Sequence, residues 1–301
     1  MKKEKRMTGT LELIESSLST MSKGHKAIAG FILESYDKAA YMTAARLGEE
    51  VGVSESTVVR FTTELGFEGY PEFQKALQED LKSKLTSVQR LGLTEKFESD
   101  SEALRSVVNQ DIANLRDSLN SIDEKEFDSA VRSILGARKI YIMGIRASAP
   151  LSEFMHFYMT LLFDDVVLVR STCTNELFEQ IMPIGKGDVM IGISFPRYSA
   201  RTINSMGYAK KKGATIIAIT DKDDTAMTEY ADIKLFAKSS MASFVDSLTA
   251  PLSLINALLV SLGMHRKEHI QESLESLETL WSQYRVYETG RDRTTEDGDI
   301  L

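Results

Sequence analysis

The chain has 301 residues, of which 43% are hydrophobic and 27% are charged, and its net charge is −8. This length and composition are typical of a soluble globular protein with two domains, and they exclude a single small core. Cys173 is the only cysteine, which excludes a disulfide framework and a cysteine-based metal site, and we expect no cofactor. No apolar run follows the basic start MKKEKR, so we expect no signal peptide and a cytoplasmic location.

The first predicted element is a helix over residues 22–36, because Ile28, Phe31 and Ile32 recur at helical spacing. His25 lies near the start of this helix, and no other histidine, cysteine or carboxylate cluster accompanies it in the sequence. We therefore expect His25 at the surface, near a bound phosphate group rather than at a metal.

Residues 43–65 predict two short helices joined by a tight turn. Gly52 stands where the first helix needs a left-handed stop, and Ser54 can cap the second helix through its hydroxyl group. The apolar face of the second helix consists of Val58, Phe61 and Leu65. The opposite face carries Ser56, Arg60 and Thr63, with Thr57 on its flank. Small hydroxyls and one arginine suit a helix that reads bases in the DNA major groove, although an ordinary helical hairpin is the alternative.

This stretch resembles the helix-turn-helix domain of the RpiR/MurR family of bacterial transcription regulators. The family's V-S-x-x-T-V-x-R-F run is present at residues 53–61, and its L-G-F-x-G-Y motif is present at residues 65–70. The resemblance implies a DNA-binding domain over residues 1–85, which the family pairs with a sugar-isomerase-type (SIS) domain. We predict a linker over residues 86–99. The candidate DNA-contacting residues are Ser54, Ser56, Thr57, Arg60 and Thr63.

Charge is distributed unevenly along the chain. The first 90 residues carry 13 basic and 13 acidic side chains, so the remainder supplies the whole net charge of −8. A neutral reading domain gains little from long-range attraction to phosphate. We therefore expect local contacts to supply the affinity, together with two copies that bind a two-half-site operator in double-stranded DNA.

From about residue 100 the pattern changes to that of an α/β domain. A helical stripe comes first, formed by Ala103, Val107, Val108, Ile112, Leu115 and Leu119. The next helix begins at Asp123, with Glu126 three residues on as in a capping box, and ends at Gly136. Apolar runs at 139–143, 166–169, 189–193, 215–219 and 233–236 then alternate with helical stretches near 148–163, 175–182, 199–212 and 225–230. This alternation predicts an α/β domain over residues 100–287, with a five-stranded parallel sheet buried on both faces. The SIS domain that the resemblance implies is flavodoxin-like.

Two helices, over residues 243–263 and 266–285, are predicted to complete this domain. The run 247–264 contains no charged residue, which invites a membrane-spanning interpretation. Pro251 and the interspersed polar side chains favour a buried helix of a soluble domain instead, so we expect no membrane partner. Residues 288–301 are polar and are predicted to be disordered.

Two loops mark a candidate binding site at the carboxyl edge of the predicted sheet. Residues 144–148 follow the first strand and residues 194–199 follow the third, and each loop places hydroxyls and an arginine at a helix start. Such groups recognise phosphate or carboxylate, although serines at these positions also serve as plain helix caps. Two arginine-bearing loops on adjacent strands favour an anion site. Its candidate residues are Arg146, Ser148, Ser194, Arg197 and Ser199.

The same loops resemble the phosphosugar-binding loops of SIS domains, which read G-I-G-A-S and S-x-S-G-x-T. The residues that fit are Gly144, Ala147 and Ser148 in the first loop and Ser194 and Ser199 in the second. Three positions depart from the pattern, since Arg146 and Arg197 replace glycines and Pro196 replaces a serine. Proline removes a hydroxyl and a backbone donor from the phosphate cradle, whereas the arginines add charge. The resemblance therefore implies a phosphosugar effector or a more acidic sugar-like one.

The expected function is that of an effector-controlled transcription regulator whose SIS domain assembles the chain into a homodimer or homotetramer. One alternative is an aldose–ketose phosphate isomerase, which needs a base beside the substrate carbon. Asp221 and Glu176 are the nearby candidates for that base, and neither belongs to a recognisable catalytic motif. The other alternative is a dimeric DNA-binding protein that responds to no effector.

Overall fold

The computed structural model describes residues 10–84, 90–91, 94, 97–170, 174–223, 225–284 and 286. The predicted tail, Cys173 and much of the predicted linker lie outside the described residues. Within the described part of the chain, a helical N-terminal region precedes an α/β region with a five-stranded parallel sheet, which confirms the predicted fold class.

The N-terminal region is built from short helices around one apolar core. These are α1 (Thr10–Ser17), α2 (Lys23–Glu34), α3 (Tyr36–Ala39), α4 (Ala44–Val51), α5 (Glu55–Glu64) and α6 (Tyr70–Lys84). Ile28 and Ile32 of α2, Val58 and Phe61 of α5, and Phe73 of α6 are all buried in this core. The apolar faces predicted for α2 and α5 are therefore the faces that pack.

The turn between α4 and α5 has the predicted geometry. Gly52 adopts a left-handed conformation with φ 71°, which glycine reaches without the steric cost that a Cβ atom brings. Ser54 caps α5, because its side chain accepts a hydrogen bond from the Thr57 backbone N–H at 3.3 Å. These two residues fix where α4 ends and where α5 begins.

The prediction for His25 was wrong, because this side chain is buried rather than at the surface. Its Nδ1 atom lies 2.9 Å from a Glu64 carboxylate oxygen, and its ring packs edge-on against Phe61 with centroids 5.7 Å apart. His25 therefore joins α2 to α5 within the core. A single histidine in a sequence gives no sign of a partner 39 residues away.

The α/β region contains strands β1 (Ile140–Gly144), β2 (Val166–Leu168), β3 (Val189–Ile193), β4 (Thr215–Thr220) and β5 (Ile233–Phe236). Its helices are α7 (Asp100–Ser121), α8 (Glu124–Leu135), α9 (Ala149–Met159), α10 (Thr174–Ile181), α11 (Ala200–Lys211), α12 (Thr249–His265) and α13 (Lys267–Tyr284). All strand pairs are parallel, and the order across the sheet is β2-β1-β3-β4-β5. The five predicted runs coincide with the five strands to within one or two residues at each end.

Alternate residues of each strand enter two separate cores, one on each face of the sheet. Ile140 and Ile142 of β1 point to the face covered by α8, α9 and α12. Tyr141 and Met143 point to the face covered by α10 and α11. Strands β1, β3 and β4 are buried on both faces, which explains why their sequences are continuous apolar runs, whereas the edge strands β2 and β5 are only partly buried.

The sequence suggests that the apolar stripe of α7 packs into the domain, but in the structure this stripe faces outward. Val107, Val108 and Ile112 are exposed, whereas Asn114 and Ser118 are buried. The Asn114 amide donates to the Ser240 carbonyl at 2.8 Å, and the Lys238 backbone N–H donates to the Ser118 hydroxyl at 2.7 Å. Hydrogen bonds from the polar face thus attach α7 to the domain, and its apolar face is left outward.

Three smaller predictions also need correction. Residues 225–230 form turns rather than a helix, and the helix predicted to begin at residue 243 begins at Thr249. Asp123 does cap α8, since it accepts from the backbone N–H groups of Lys125 and Glu126. The Glu126 carboxylate does not close a capping box, because it accepts from the Lys234 N–H of β5 at 2.8 Å. The Glu126 carboxylate thus accepts from edge strand β5 rather than from the N-terminus of its own helix.

Candidate functional site

Helix α5 presents a polar face to solvent. Ser56, Arg60 and Thr63 are exposed and Thr57 is half-buried, as the sequence predicts for a helix that contacts DNA. The Arg60 Nε atom donates to the Ser56 carbonyl at 3.4 Å, a long contact on the same face. The guanidinium therefore remains on the exposed side of the helix, where a bidentate contact to guanine is possible.

Val59 belongs to the same face and was not predicted. It lies three residues after Ser56 and four before Thr63, so it shares their side of the helix, and 39% of its surface is exposed. An apolar side chain there can contact the methyl group of thymine. Helical spacing places Val59 on the same face as Ser56 and Thr63. Its apolar side chain, next to Val58, nevertheless suggests a core position from the sequence alone.

The orientation of α5 is held by aromatic packing behind its exposed face. Phe61 packs edge-to-face against Phe73 of α6, with centroids 5.8 Å apart, and against the ring of His25 of α2. Glu64, at the last turn of α5, pairs with the same histidine. The reading face is thus positioned by three contacts with neighbouring helices rather than by the turn alone.

The predicted effector loops start side by side at the carboxyl edge of the sheet. Strand β1 pairs with β3, and Gly144 at the end of β1 is in register with Ile193 at the end of β3. The strand order reverses between these two strands, which is the position where open parallel sheets bind ligands. The loops lead into the N-termini of α9 and α11, which favour anions.

The first loop folds closely back on its own strand. A Cβ atom on Gly144 would lie 2.5 Å from the Ser148 carbonyl oxygen, so only glycine fits at this point. Ser148 is buried, and its side chain makes no capping hydrogen bond to α9. Ser152, one turn into α9, donates its hydroxyl to the Gly144 carbonyl at 3.2 Å. The predicted Ser148 therefore lies inside the loop, and Arg146 lies on its exposed side.

In the second loop the two predicted serines hold the backbone. The Ser194 hydroxyl accepts from the Ser199 N–H at 3.0 Å, and the Ser199 hydroxyl accepts from the Thr202 N–H at 3.3 Å to cap α11. Both roles belong to the alternative of plain structural serines. Their effect is to bend the loop so that Arg197 projects from an exposed position.

Arg146 and Arg197 share an unusual backbone conformation. Their φ angles are 59° and 68°, and they are the non-glycine residues with positive φ in the described part of the chain. These are also the two positions at which this chain replaces a glycine of the SIS loop pattern. The loops therefore keep a curvature that suits glycine while carrying a cationic side chain in each.

Tyr198 and Thr202 near this edge were not predicted as site residues, whereas Asp221 was predicted only as a candidate base in the isomerase alternative. The Tyr198 hydroxyl donates to the Asp221 carboxylate at 2.8 Å, and burial together with that carboxylate raises the pKa of the phenol. Asp221 is therefore held as a hydrogen-bond acceptor. The Thr202 hydroxyl is fully buried and has no hydrogen-bond partner among the described residues. No sequence motif identified Tyr198 or Thr202 as part of the site.

No described helix combines the length and the apolar character needed to cross a membrane. Among the described histidine, aspartate and glutamate side chains, no three are grouped in a way that suits a metal ion.

A helix-turn-helix region, here called the reading head (helices α1 to α6), followed by a doubly wound sheet of the SIS type, defines the class of two-domain transcription regulators. The helix-turn-helix domain of the rpiR family matches residues 8–84, and the SIS domain matches residues 133–261. An HTH-type transcriptional regulator from Haemophilus influenzae is 30% identical over 75% of this chain and 78% of its own. The HTH-type transcriptional regulator HexR from Escherichia coli is 28% identical over 70% of this chain and 71% of its own.

Solved structures agree on the fold. The Vibrio vulnificus NanR protein complexed with ManNAc-6P matches 91% of this chain and 98% of its own, with a TM-score of 0.56 and 19% identity. The sugar isomerase domain of an RpiR transcription factor from Sphaerobacter thermophilus matches 57% of this chain and 96% of its own, with a TM-score of 0.55 and 23% identity. The chain belongs to the RpiR family of helix-turn-helix transcriptional regulators, and it is a regulator rather than an isomerase.

Proposed function

We propose that this regulator binds a phosphorylated or acidic sugar-like effector at the carboxyl ends of β1 and β3, and that it acts as a homodimer on operator DNA. The observation that carries the effector proposal is the pair of arginines in left-handed conformations, one in each loop. The DNA contacts proposed are those of the exposed α5 face, through Ser54, Ser56, Thr57, Arg60 and Thr63.

The backbone conformation supports a binding role for the two arginines. A residue with a Cβ atom pays roughly 1–2 kcal/mol to adopt the left-handed region, and glycine avoids this cost. Strained residues persist where function or surroundings demand them. Arg146 and Arg197 also lie at an edge where two helix N-termini attract anions. A ligand with phosphate or carboxylate groups explains both the strain and the charge.

The chemistry of a relative's ligand agrees with this class. The NanR structure of the same fold holds ManNAc-6P, a phosphorylated sugar derivative. The loops of the present chain differ from the SIS pattern by two added cations and one lost hydroxyl, at Pro196. The proposed effector is therefore a phosphosugar or a sugar acid.

Calorimetry on the full-length protein tests the effector proposal. The panel contains ManNAc-6P, other hexose phosphates, sugar acids, amino sugars and the unphosphorylated parent sugars. The double variant Arg146→Gly/Arg197→Gly should weaken binding of the best compound at least about tenfold, since a charged hydrogen bond contributes about 1.5–3 kcal/mol. Operator affinity should stay nearly intact. Arg132→Ala, on the surface of α8, is the control and should bind like the wild type.

The effector proposal fails if no phosphorylated or acidic compound binds the wild type better than weakly in the millimolar range. The alternative of a dimeric DNA-binding protein that responds to no effector would then be favoured.

The dimer proposal depends on the outward apolar face of α7. Soluble monomers rarely expose large contiguous apolar surfaces, so such a face usually marks an interface. Helix α12 packs against α7 and adds Val260 and Met264, which are 66% and 75% exposed. The exposed apolar residues of α7 are Leu104, Val107, Val108, Ile112 and Leu119. We propose that a second copy of this chain covers these residues.

Sedimentation velocity at micromolar concentration tests the assembly. Ile112→Lys places a charge in the proposed interface and should convert dimer to monomer, since burying an unpaired charge is costly. Met182→Lys is the matched control, because Met182 is also exposed but lies at the end of α10. A wild type that sediments only as a monomer, or an Ile112→Lys variant that stays dimeric, would contradict the proposed interface.

A further inference from the structure

The second effector loop is connected to the reading head by a short series of polar contacts. We propose that the Lys222–Asp80 ion pair is the latch that transmits the state of this loop to the DNA-reading helix. The proposal rests on the effector function proposed above for the loop. It names the part of the structure through which the loop and α5 are coupled.

The series begins inside the loop. Tyr198 directly follows the strained Arg197, and its hydroxyl donates to Asp221 at 2.8 Å. Asp221 immediately follows β4, and the next residue along the chain is Lys222. A ligand that engages Arg197 must therefore adjust a backbone whose next side chain is hydrogen-bonded to the residue beside Lys222.

The latch itself crosses between the two domains. The Lys222 Nζ atom lies 3.4 Å from one oxygen of Asp80, about one turn before the end of α6. The other Asp80 oxygen accepts from the Thr10 backbone N–H at the start of α1. The Asp80 side chain is 10% exposed, so separation from its cationic partner would leave a nearly buried carboxylate with less compensation. The carboxylate of Asp80 is also near enough to the loop to raise the pKa of Tyr198, after burial and Asp221.

From α6 the connection reaches the reading helix by packing. Phe73, two turns before Asp80 on the same helix, packs edge-to-face against Phe61 of α5. Asp80 also joins α6 to α1, so a shift of α6 moves two helices of the reading head together. Packed aromatic contacts of this kind transmit rigid-body shifts of a helix.

A second contact between the domains supplies a matched control. The Lys75 Nζ atom of α6 lies 3.5 Å from Asp117 of α7, and both side chains are largely exposed. Lys75→Met and Lys222→Met remove the same charge from an interdomain ion pair and leave a side chain of similar length. Only the second of them touches the series that begins in the effector loop.

Hydrogen exchange measured by mass spectrometry on the full-length protein tests the latch, with millimolar ManNAc-6P and millimolar inorganic phosphate as the probes. Without a probe, amides of α1 and α6 should exchange about threefold to tenfold faster in Lys222→Met than in the wild type, and Lys75→Met should leave α1 unchanged. With a probe, residues 194–199 should become protected in all three proteins. The accompanying change in α6 exchange should occur in the wild type and in Lys75→Met but not in Lys222→Met.

Two failures are distinguishable. If residues 194–199 respond to a probe and α6 responds equally in the wild type and in Lys222→Met, the latch is wrong while the effector site stands. If neither probe alters the two loops in any protein, phosphate recognition by these loops fails, and the latch as its transmitter fails with it. Equal probe-free exchange of α1 and α6 in Lys222→Met and the wild type would also overturn the latch.

Discussion

The reading head and the carboxyl edge of the sheet, here called the effector edge (residues 144–148 and 194–199), both contain backbone positions in the left-handed conformation. Different residue types occupy these positions in the two regions. In the turn between α4 and α5 the left-handed position is held by Gly52 with φ 71°, whereas the effector edge holds Arg146 at 59° and Arg197 at 68°. Glycine makes such a turn without strain, and a residue with a Cβ atom does not. The conformation of Gly52 is therefore explained by folding, without a functional role for a side chain. At the edge, strain is retained together with charge, which indicates that the side chains serve a further purpose.

The largest expected effect lies on the unstrained side of this comparison. Arg60→Ala should weaken operator binding by about 1–3 kcal/mol per half-site and relax specificity at one base position, because a bidentate contact to guanine is lost. The exposed Arg60 supports no core contact, so the unfolding temperature should not change. Binding to operators selected from a random DNA pool measures the effect. Ser56→Ala and Thr63→Ala should cost less, and wild-type binding by Arg60→Ala would refute the role assigned to this face.

A glycine-to-alanine pair sharpens the contrast between the two regions. Gly144→Ala should destabilise the α/β domain by about 1–3 kcal/mol, because the new Cβ atom would meet a backbone oxygen inside a buried loop. Gly30→Ala, on an exposed position of α2 with no atom within 4 Å of the new Cβ, should stabilise the reading head instead. Calorimetric unfolding of each variant measures both changes. A neutral Gly144→Ala variant would show that the first loop is not as tightly folded as described.

Elements whose signals are local were predictable from the sequence. The five strands and the Ser54 cap follow from apolar runs and from capping chemistry. The outward face of α7 was not predictable, since helical periodicity identifies an apolar stripe but not whether the same chain covers it. The partners of His25 and Asp80 are distant in sequence, so no local pattern reveals them. For the two loops at the carboxyl edge of the sheet, the sequence predicted candidate residues but not the positive φ angles of Arg146 and Arg197.

A smaller effect tests the folding role of the turn. Gly52→Ala should destabilise the reading head by about 1 kcal/mol, because alanine is strained at φ 71° although no atom crowds the new Cβ. The expected consequence is a lower unfolding temperature of this domain with unchanged unfolding of the α/β domain. Differential scanning calorimetry on the full-length protein separates the two transitions. A variant as stable as the wild type would remove the reason given for glycine at this position.

The smallest expected effect tests whether the arginines are strained. Arg146→Gly and Arg197→Gly relieve a left-handed Cβ conformation but give the unfolded chain more freedom, so each should change stability by a net gain of up to about 1 kcal/mol. Arg201→Gly, in the first turn of α11 where the backbone is helical, should instead lose about 0.5–1 kcal/mol. Denaturant unfolding of the three variants measures the difference in sign. If Arg146→Gly and Arg197→Gly lose as much stability as Arg201→Gly, the arginines are not strained, and the contrast with Gly52 does not hold. A gain in stability combined with weaker effector binding in the double variant would mean that the loops keep arginine for its charge.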